Sequence, residues 1–383
     1  MRGYTRRDCG IIKMGEGIQM FEFELEVAGK FALKGAPIRC EINARGLIKT
    51  TRVIYTDANV RYILQRINTA VFKKPDEVMQ NITAVTEHLR EKIALAGGDV
   101  TRETLTVIHT KDGKNFYTDE NGGAWRMYDF IENALCYDSA DSPELFCRVG
   151  KAFGIFQCQL ADFDASKLFE AIPKFHDTAN RFRDFKAALE RDAAGRRKLC
   201  EEEIAFVLER ESTCDFIVKA LREGRMPLRV THNDTKLNNI MIDEATGEGV
   251  CVIDLDTVMP GSMLYDYGDA IRFGAASAPE DETDLEKMYL RLDMFEAFTK
   301  GFLEGLNGAA TEEEILAFPM GVYMLTFELV IRFLTDYLNG DTYFKVKSET
   351  HNIERTRAQI ALTKDIEKKQ GEMDAIVRKY LPK

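Results

Sequence analysis

Three oxygen-bearing side chains, Asp234, Asn239 and Asp254, stand in order within VTHNDTKLNNIMIDEATGEGVCVIDLDTVMPGSMLYDYGDAI, residues 230–271. A carboxylate on a loop can orient a hydroxyl and take its proton. An amide oxygen and a second carboxylate are the hard donors that a small divalent cation prefers. Taken singly, an Asp or Asn in a loop is usually a turn residue or a helix cap. Here the order and spacing argue for more. Asp234 follows a strand expected over 228–231, Asn239 comes five residues on, and Asp254 ends an apolar run fifteen residues later. The segment between them reads as a β-hairpin: Met241-Ile242, a turn through Thr246-Gly247-Glu248-Gly249, then Val250-Cys251-Val252-Ile253. Such a hairpin folds Asp254 back beside Asn239, so that one ion could touch both.

The pattern His-x-Asp-x-x-x-x-Asn, followed by Ile253-Asp254, resembles the catalytic core of kinases. The closest resemblance is to the aminoglycoside phosphotransferase and choline kinase superfamily, and the text around the core looks like its N-acetylhexosamine 1-kinase branch. The resemblance implies an α+β, two-lobed protein-kinase-like fold, with ATP between a small β-rich N-lobe and a larger, mostly helical C-lobe. Transfer of a γ-phosphoryl group is mostly positioning and charge neutralisation. On this resemblance Asp234 is the base and orienter of the acceptor, and Asn239 and Asp254 hold Mg2+. His232 orients the loop. Lys236 either faces a phosphate or is a solvated loop lysine. Asp256 adds to the metal site or caps a backbone turn. Asp266, in Tyr265-Asp266-Tyr267-Gly268-Asp269, supports the catalytic loop.

The elements that must position these residues can be followed along the chain. Residues 1–20 carry charge and glycine without periodicity and are expected to be an extension. The N-lobe is expected over 21–131, opening with a short helix from Phe21. Three strands should fill 37–67, and the turn at Gly46 could lay backbone N–H groups over phosphates. The third strand lacks the lysine usual in the superfamily and offers Gln65 and Arg66, which alternate to opposite faces. Arg66 is the first choice for the phosphate cation, with Lys49, Lys73 or Lys74 as substitutes. A helix to about Ala96 follows, with Val78, Ile82, Val85, Leu89 and Ile93 at helical spacing. Its Glu77 or Glu87 could pair with the strand cation. Two further strands are expected at 104–118 and 124–131; the kinase resemblance implies that backbone groups of Phe130, Ile131 and Glu132 bind adenine, and the alternative is that the apolar residues here are plain strand core.

The C-lobe is expected over 132–383, with helices at 144–160, 175–189, 196–224, 285–304, 312–338 and 351–378. The block RFLTDYLNGDTYF, residues 332–344, is similar to the region that closes over the sugar in N-acetylhexosamine 1-kinases. It makes Arg332, Asp336 and Tyr343 candidates for substrate contact. Arg332 and Asp336 also stand at i, i+4, where an ion pair along the helix is the alternative.

The bulk composition bounds the rest. With 383 residues, 45% hydrophobic, the chain can build a large core. The net charge of −11 and the lack of a basic patch exclude nucleic acid as the expected partner. Eight cysteines are scattered with no C-x-x-C pair, which disfavours a zinc site or disulfide framework and suits a reducing cytoplasm. No signal-peptide pattern or membrane-length apolar run is read, so no membrane partner is expected. The expected protein is a cytoplasmic monomer or small homo-oligomer, dependent on ATP and Mg2+. It would phosphorylate the anomeric hydroxyl of GlcNAc or GalNAc. The alternatives are a kinase of another small alcohol, such as an aminoglycoside, a choline-like amine or another sugar, and a non-catalytic sensor on the same fold.

Overall fold

The computed structural model describes residues 21–43 and 50–381. The chain divides after Asn133 into two compact units, two residues beyond the expected boundary. The expected extension at 1–20 and the turn at Gly46 lie outside the described residues, as does Lys49.

The first unit opens with helix α1 (Glu22–Ala28), followed by strands β1 (Pro37–Ile42), β2 (Thr51–Thr56) and β3 (Arg61–Arg66). Helix α2 (Pro75–Leu95) comes next, then β4 (Tyr117–Thr118) and β5 (Ala124–Asp129). The five strands form one antiparallel sheet in the order β1-β2-β3-β5-β4. Period-two alternation sorts its side chains. Ile54, Tyr62, Leu64, Trp125 and Met127 pack with Val27, Ala28 and Phe31 of the α1 segment. Helix α2 starts with Pro75 in its first turn, and its apolar residues at 78, 82, 85, 89 and 93 are all buried, as their spacing predicts. The strand expected at 104–118 is largely absent. Only isolated bridges, Phe31 to Thr110 and Val107 to Tyr128, precede the two residues of β4. A turn interrupts the run, with Gly113 at φ 83° and its N–H donating back to the Thr110 carbonyl, while the Lys114 N–H donates to Thr110 Oγ1.

The second unit begins at β6 (Ala134–Leu135) and then becomes helical, with α3 (Pro143–Gln159), α4 (Thr178–Arg191), α5 (Glu201–Leu208) and α6 (Phe216–Arg222). The expected helix at 196–224 is thus broken, with a 3-10 turn at Glu211–Thr213 between its parts. Strand β7 (Arg229–Thr231) leads into the hairpin of β8 (Ile240–Asp243) and β9 (Gly249–Val252), then β10 (Met259–Gly261). Helices α7 (Met263–Gly274), α8 (Leu292–Leu306), α9 (Glu312–Leu316), α10 (Phe318–Asn339) and α11 (His351–Lys379) complete the unit. A single helix was expected over 312–338. The chain instead bends at Ala317, because Pro319 fits only the first turn of a new helix.

Two close helix crossings organise this core. On α3 and α8, a Cβ added at Gly150, Gly154, Gly301 or Gly305 would collide with the backbone of the facing helix. On α7, a Cβ at Gly268 would meet the carbonyl of Gly321 in α10. The neighbouring Tyr267 stacks on Phe318 at 4.0 Å between centroids, and its hydroxyl meets Thr299 Oγ1 at 2.6 Å. Aromatic packing of this kind fixes α7 in rotation as well as position. Helix α10 is long and apolar enough by length and composition to cross a membrane, contrary to the expectation of no such run, yet 83% of that window is buried in the fold.

Candidate active site

The loop that carries Asp234 is held from several sides. Asp266, buried on α7, accepts from the backbone N–H of His232 at 2.9 Å and of Asn233 at 2.7 Å. Gln157 of α3 steadies the same carboxylate at 2.7 Å and reaches the Val230 carbonyl at 3.0 Å. One turn further along α7, Asp269 accepts the N–H of Thr235 at 2.9 Å, while the Thr235 hydroxyl donates to the Asp266 carbonyl. These bonds hold Asn233 at φ 65°, a left-handed conformation that Asn tolerates better than most residues. The His232 ring is fully buried between the edges of Phe153 and Phe156. Its Nδ1 accepts the Asp234 N–H at 3.3 Å, which leaves Nε2 to donate to the Ile253 carbonyl at 2.9 Å. Both nitrogens are engaged, so His232 orients the loop and is not free to act as a base.

Four polar side chains converge at this turn. Lys236 Nζ lies 2.9 Å from Asp234 Oδ1, and Asn239 Nδ2 donates to the Asp234 carbonyl at 2.7 Å and to its Oδ2 at 3.2 Å. The hairpin returns as expected: β8 pairs with β9, and the Ile253 N–H donates to the Asn239 carbonyl at 2.9 Å. That bond brings the next residue, Asp254, alongside Asn239. Asp254 is left-handed, at φ 63° and ψ 54°. Burial works to discharge Lys236, but Asp234, Asp269 and Asp254 around it raise its pKa and keep it cationic. Among the described residues no cluster of three or more His, Cys, Asp or Glu side chains forms a metal cage. An amide oxygen and one carboxylate are instead the modest donor set of a cation that completes its shell with water and phosphate oxygens. Asp256 is buried in the 3-10 turn just beyond.

A second polar cluster adjoins the loop within the same unit. Glu328 is fully buried on α10 and meets His176 Nδ1 at 2.9 Å, Thr178 Oγ1 at 2.8 Å and Arg332 at 3.7 Å. His176 Nε2 lies 3.4 Å from the carbonyl of Asn233, the residue before Asp234. Burial would raise the Glu328 carboxyl, but His176, Arg332 and Arg181 hold it below the ordinary range. Arg181 is pushed down, first by burial and then by Arg332. The Arg332 guanidinium faces the rings of Phe175, Tyr343 and Phe344 at 5.3, 5.9 and 5.6 Å. Tyr343 is 61% exposed. Arg332 and Tyr343 therefore meet, but Asp336 turns away from both. Its carboxylate is 3% exposed and accepts the N–H groups of Thr342, Tyr343 and Phe344 as well as Asn352 Nδ2. The i, i+4 partner of Arg332 is Glu328, not Asp336, and Asp336 fixes the 342–344 turn rather than presenting itself to a ligand.

In the first unit Arg66 departs from expectation. It alternates with Leu64 and Tyr62, on the α1 side of the sheet, where its guanidinium stands 5.9 Å from the Trp125 ring and is exposed. Lys74 pairs with Glu77, and Lys73 and Glu87 are exposed. The proposed adenine segment is held firmly. Arg61 stacks on Phe130 at 3.9 Å and pairs with the Glu132 carboxylate, the Phe130 N–H donates to the Arg61 carbonyl, and Arg102 takes the Glu132 carbonyl at 3.1 Å. Ile131 is buried.

The sequence matches the phosphotransferase enzyme family, APH, over residues 40–299, about two thirds of the chain. The chain belongs to that family. Solved structures agree on the fold. An amicoumacin kinase in complex with AMP-PNP and Ca2+ is 14% identical, with a TM-score of 0.57 over 88% of this chain and 92% of that one. A microcompartment-associated aminopropanol kinase is 15% identical, at 0.57 over 92% and 98%. An ethanolamine kinase from Plasmodium vivax is 13% identical, at 0.52 over 89% and 85%. At such identities the likeness concerns the fold, which is the kinase-like α+β fold expected.

In this phosphotransferase, Asp234, Lys236, Asn239 and Asp254 come together, with His232 and Asp266 behind them. Gln157, Asp269, His176, Arg181 and Glu328 also shape the site but were not singled out from the sequence. Glu328 and His176 are 152 residues apart, and no local pattern links them. Asp269 did carry a signal, lying one turn after Asp266 on an amphipathic helix.

Proposed function

We propose that this phosphotransferase transfers the γ-phosphoryl group of ATP, with Mg2+, to the anomeric hydroxyl of an N-acetylhexosamine, GlcNAc or GalNAc. The convergence of Asp234 with Lys236, Asn239 and Asp254 on one turn carries the reading. Asp234 takes the proton of the attacking hydroxyl as its oxygen bonds to the γ-phosphorus and the bond to the bridging oxygen breaks, releasing ADP. Asn239 and Asp254 would hold the magnesium ion, which supplies charge neutralisation on the phosphates. Lys236, kept cationic, adds fixed positive charge at the same place.

The cluster beside the loop supports an uncharged acceptor. Glu328 already faces His176, Arg332 and Arg181. An ammonium group of the kind that ethanolamine or aminopropanol carries would meet two guanidinium groups there. Acetylation removes that charge from an aminosugar. It adds a carbonyl that Arg332 can donate to, and a sugar face suits the exposed Tyr343 ring. The seven described cysteines are free thiols, four of them buried, which supports a reducing compartment such as the cytoplasm.

The test is ADP release with ATP and Mg2+ across GlcNAc, GalNAc, glucose, galactose, choline and kanamycin, with phosphorus NMR on the product. A sugar 1-phosphate from an N-acetylhexosamine is the expected result. Turnover confined to choline or kanamycin would overturn the acceptor assignment. D234N is expected to lower kcat by at least about 100-fold while nucleotide still binds.

A further inference from the structure

We infer that His176 is a positioning residue of phosphoryl transfer, through which the side of the site that meets the phosphoryl acceptor sets the direction of Asp234. The inference deepens the proposed function, and it rests on Asp234 as base and Arg332 as a contact of the phosphoryl acceptor. The peptide unit between Asn233 and Asp234 is held at both ends by histidines. Its N–H, that of Asp234, donates to His232 Nδ1 at 3.3 Å. Its carbonyl, that of Asn233, lies 3.4 Å from His176 Nε2. A peptide unit is planar, so contacts at its N–H and its oxygen fix its rotation. That rotation sets ψ of Asn233 and φ of Asp234, and with them the path of the Asp234 side chain. Asn233 sits at φ 65°, a conformation that persists where the surroundings determine it.

The two histidines differ in what stands behind them. His232 is backed by the Ile253 carbonyl and by Phe153 and Phe156, the scaffold of the loop itself. His176 is backed by Glu328, whose Oε1 lies 2.9 Å from Nδ1. Its buried ring packs against Phe175 at 4.4 Å and Tyr265 at 5.1 Å between centroids. Glu328 and the Asn233 carbonyl are both hydrogen-bond acceptors, and a ring that donates to both carries an imidazolium charge against the buried carboxylate. Glu328 also accepts from Thr178 Oγ1 and lies 3.7 Å from Arg332, one turn along α10. Arg332 in turn faces the ring of Phe175, the residue before His176. Arg181 fastens that residue from the other side, donating to the Phe175 carbonyl from Nε at 3.2 Å and Nη2 at 2.8 Å.

Arg332, Glu328, His176 and the Asn233 carbonyl thus form a continuous chain that ends at Asp234. A buried ion pair adds little stability over well-packed apolar side chains. What it adds here is orientation. A carboxylate that meets His176, Thr178 and Arg332 at once has little freedom, and it presents the imidazole to the loop at a fixed angle. Arg332 and His176 therefore answer to the same carboxylate, so the grip on the phosphoryl acceptor and the aim of the base are set together.

The experiment measures steady-state kinetics, ADP affinity and Tm for the wild type, H176Q, H176F, E328Q, R332M and H176Q/E328Q, on the panel compound that the wild type turns over best. H176Q keeps a donor, and H176F keeps a ring without one. The expected result is that H176F lowers kcat by at least about tenfold and H176Q by less, with ADP affinity and the KM for the phosphoryl acceptor within about twofold of the wild type. E328Q should lower kcat and also raise that KM, since it loosens His176 and Arg332 together. R332M should raise the KM and leave most of kcat. Residues that act through one another do not lose activity independently, so H176Q/E328Q should stay within about threefold of the worse single variant in kcat. A folded H176F with wild-type kcat overturns the inference, as does a double variant whose loss is the product of the single losses. If the His176 variants do not fold, E328Q and R332M decide: equal kcat values for the two overturn it. Turnover confined to choline or kanamycin overturns the reading of the phosphoryl acceptor, and the same variants are then compared on that compound. That outcome is distinct from a wild type that phosphorylates an N-acetylhexosamine and is indifferent to His176.

Discussion

Both carboxylate oxygens of Asp266 accept backbone N–H groups from consecutive residues, His232 and Asn233. Burial pushes its carboxyl up, while His232 and the donors pull the other way. Asn at this position would turn one acceptor into a donor facing an N–H. D266N is expected to cost about 1–3 kcal/mol of stability and to lower kcat, because the Asp234 loop loses a fixed point; urea unfolding and steady-state kinetics on the same preparation check both. Glu328 gives a pH signature. Its carboxyl is held below the usual range, so across the window below the ordinary Glu value of about 4.3 the unfolded chain binds the extra proton. Stability therefore rises with pH through that window and is lost as the solution is acidified. The wild type should lose unfolding midpoint steeply below pH ~4, and E328Q should show a shallower acid limb. Equal slopes for the two proteins would remove Glu328 from the account.

At the scale of elements, helix α3 links packing to chemistry. It carries Gln157, Phe153 and Phe156 to the loop, and its glycines let α8 approach within backbone contact. Introducing a side chain by G154A should force the pair apart at a cost of about 1–3 kcal/mol or more, and activity should fall with it because Gln157 shifts. Turn 342–344 makes a complementary case. D336A removes the acceptor of three backbone N–H groups, so the KM for the phosphoryl acceptor should rise several-fold while the KM for the nucleotide changes little. The elements also show what could be read in advance. The meeting of Asp234, Asn239 and Asp254 was legible because one hairpin brings them together, a local event. Helix α2 was legible from its apolar period. The strand expected at 104–118 was not sound, since its alternation is interrupted at Gly113, and the long helix at 312–338 concealed the bend before Pro319.

For the whole molecule, each unit has its own core. The larger one, from Phe146 to Val377, draws every residue from the second unit, and the smaller, around Trp125 and Leu64, draws every residue from the first. Residues 134–383 expressed alone are expected to unfold cooperatively and to retain the near-ultraviolet circular dichroism of their packed aromatics; a broad, non-cooperative transition would show that the second unit depends on the first. The buried helix α10 has a consequence for how the chain is made. It packs on α4, α5, α7 and α9, all synthesised before it, but its most extensive partner is α11, which is synthesised after it. Until α11 emerges, a helix apolar enough to be mistaken for a membrane segment lacks its main cover. Nascent chains stalled near residue 345 should therefore be bound by chaperones that recognise apolar surface, and genes cut short before α11 should yield aggregates rather than a slightly smaller enzyme.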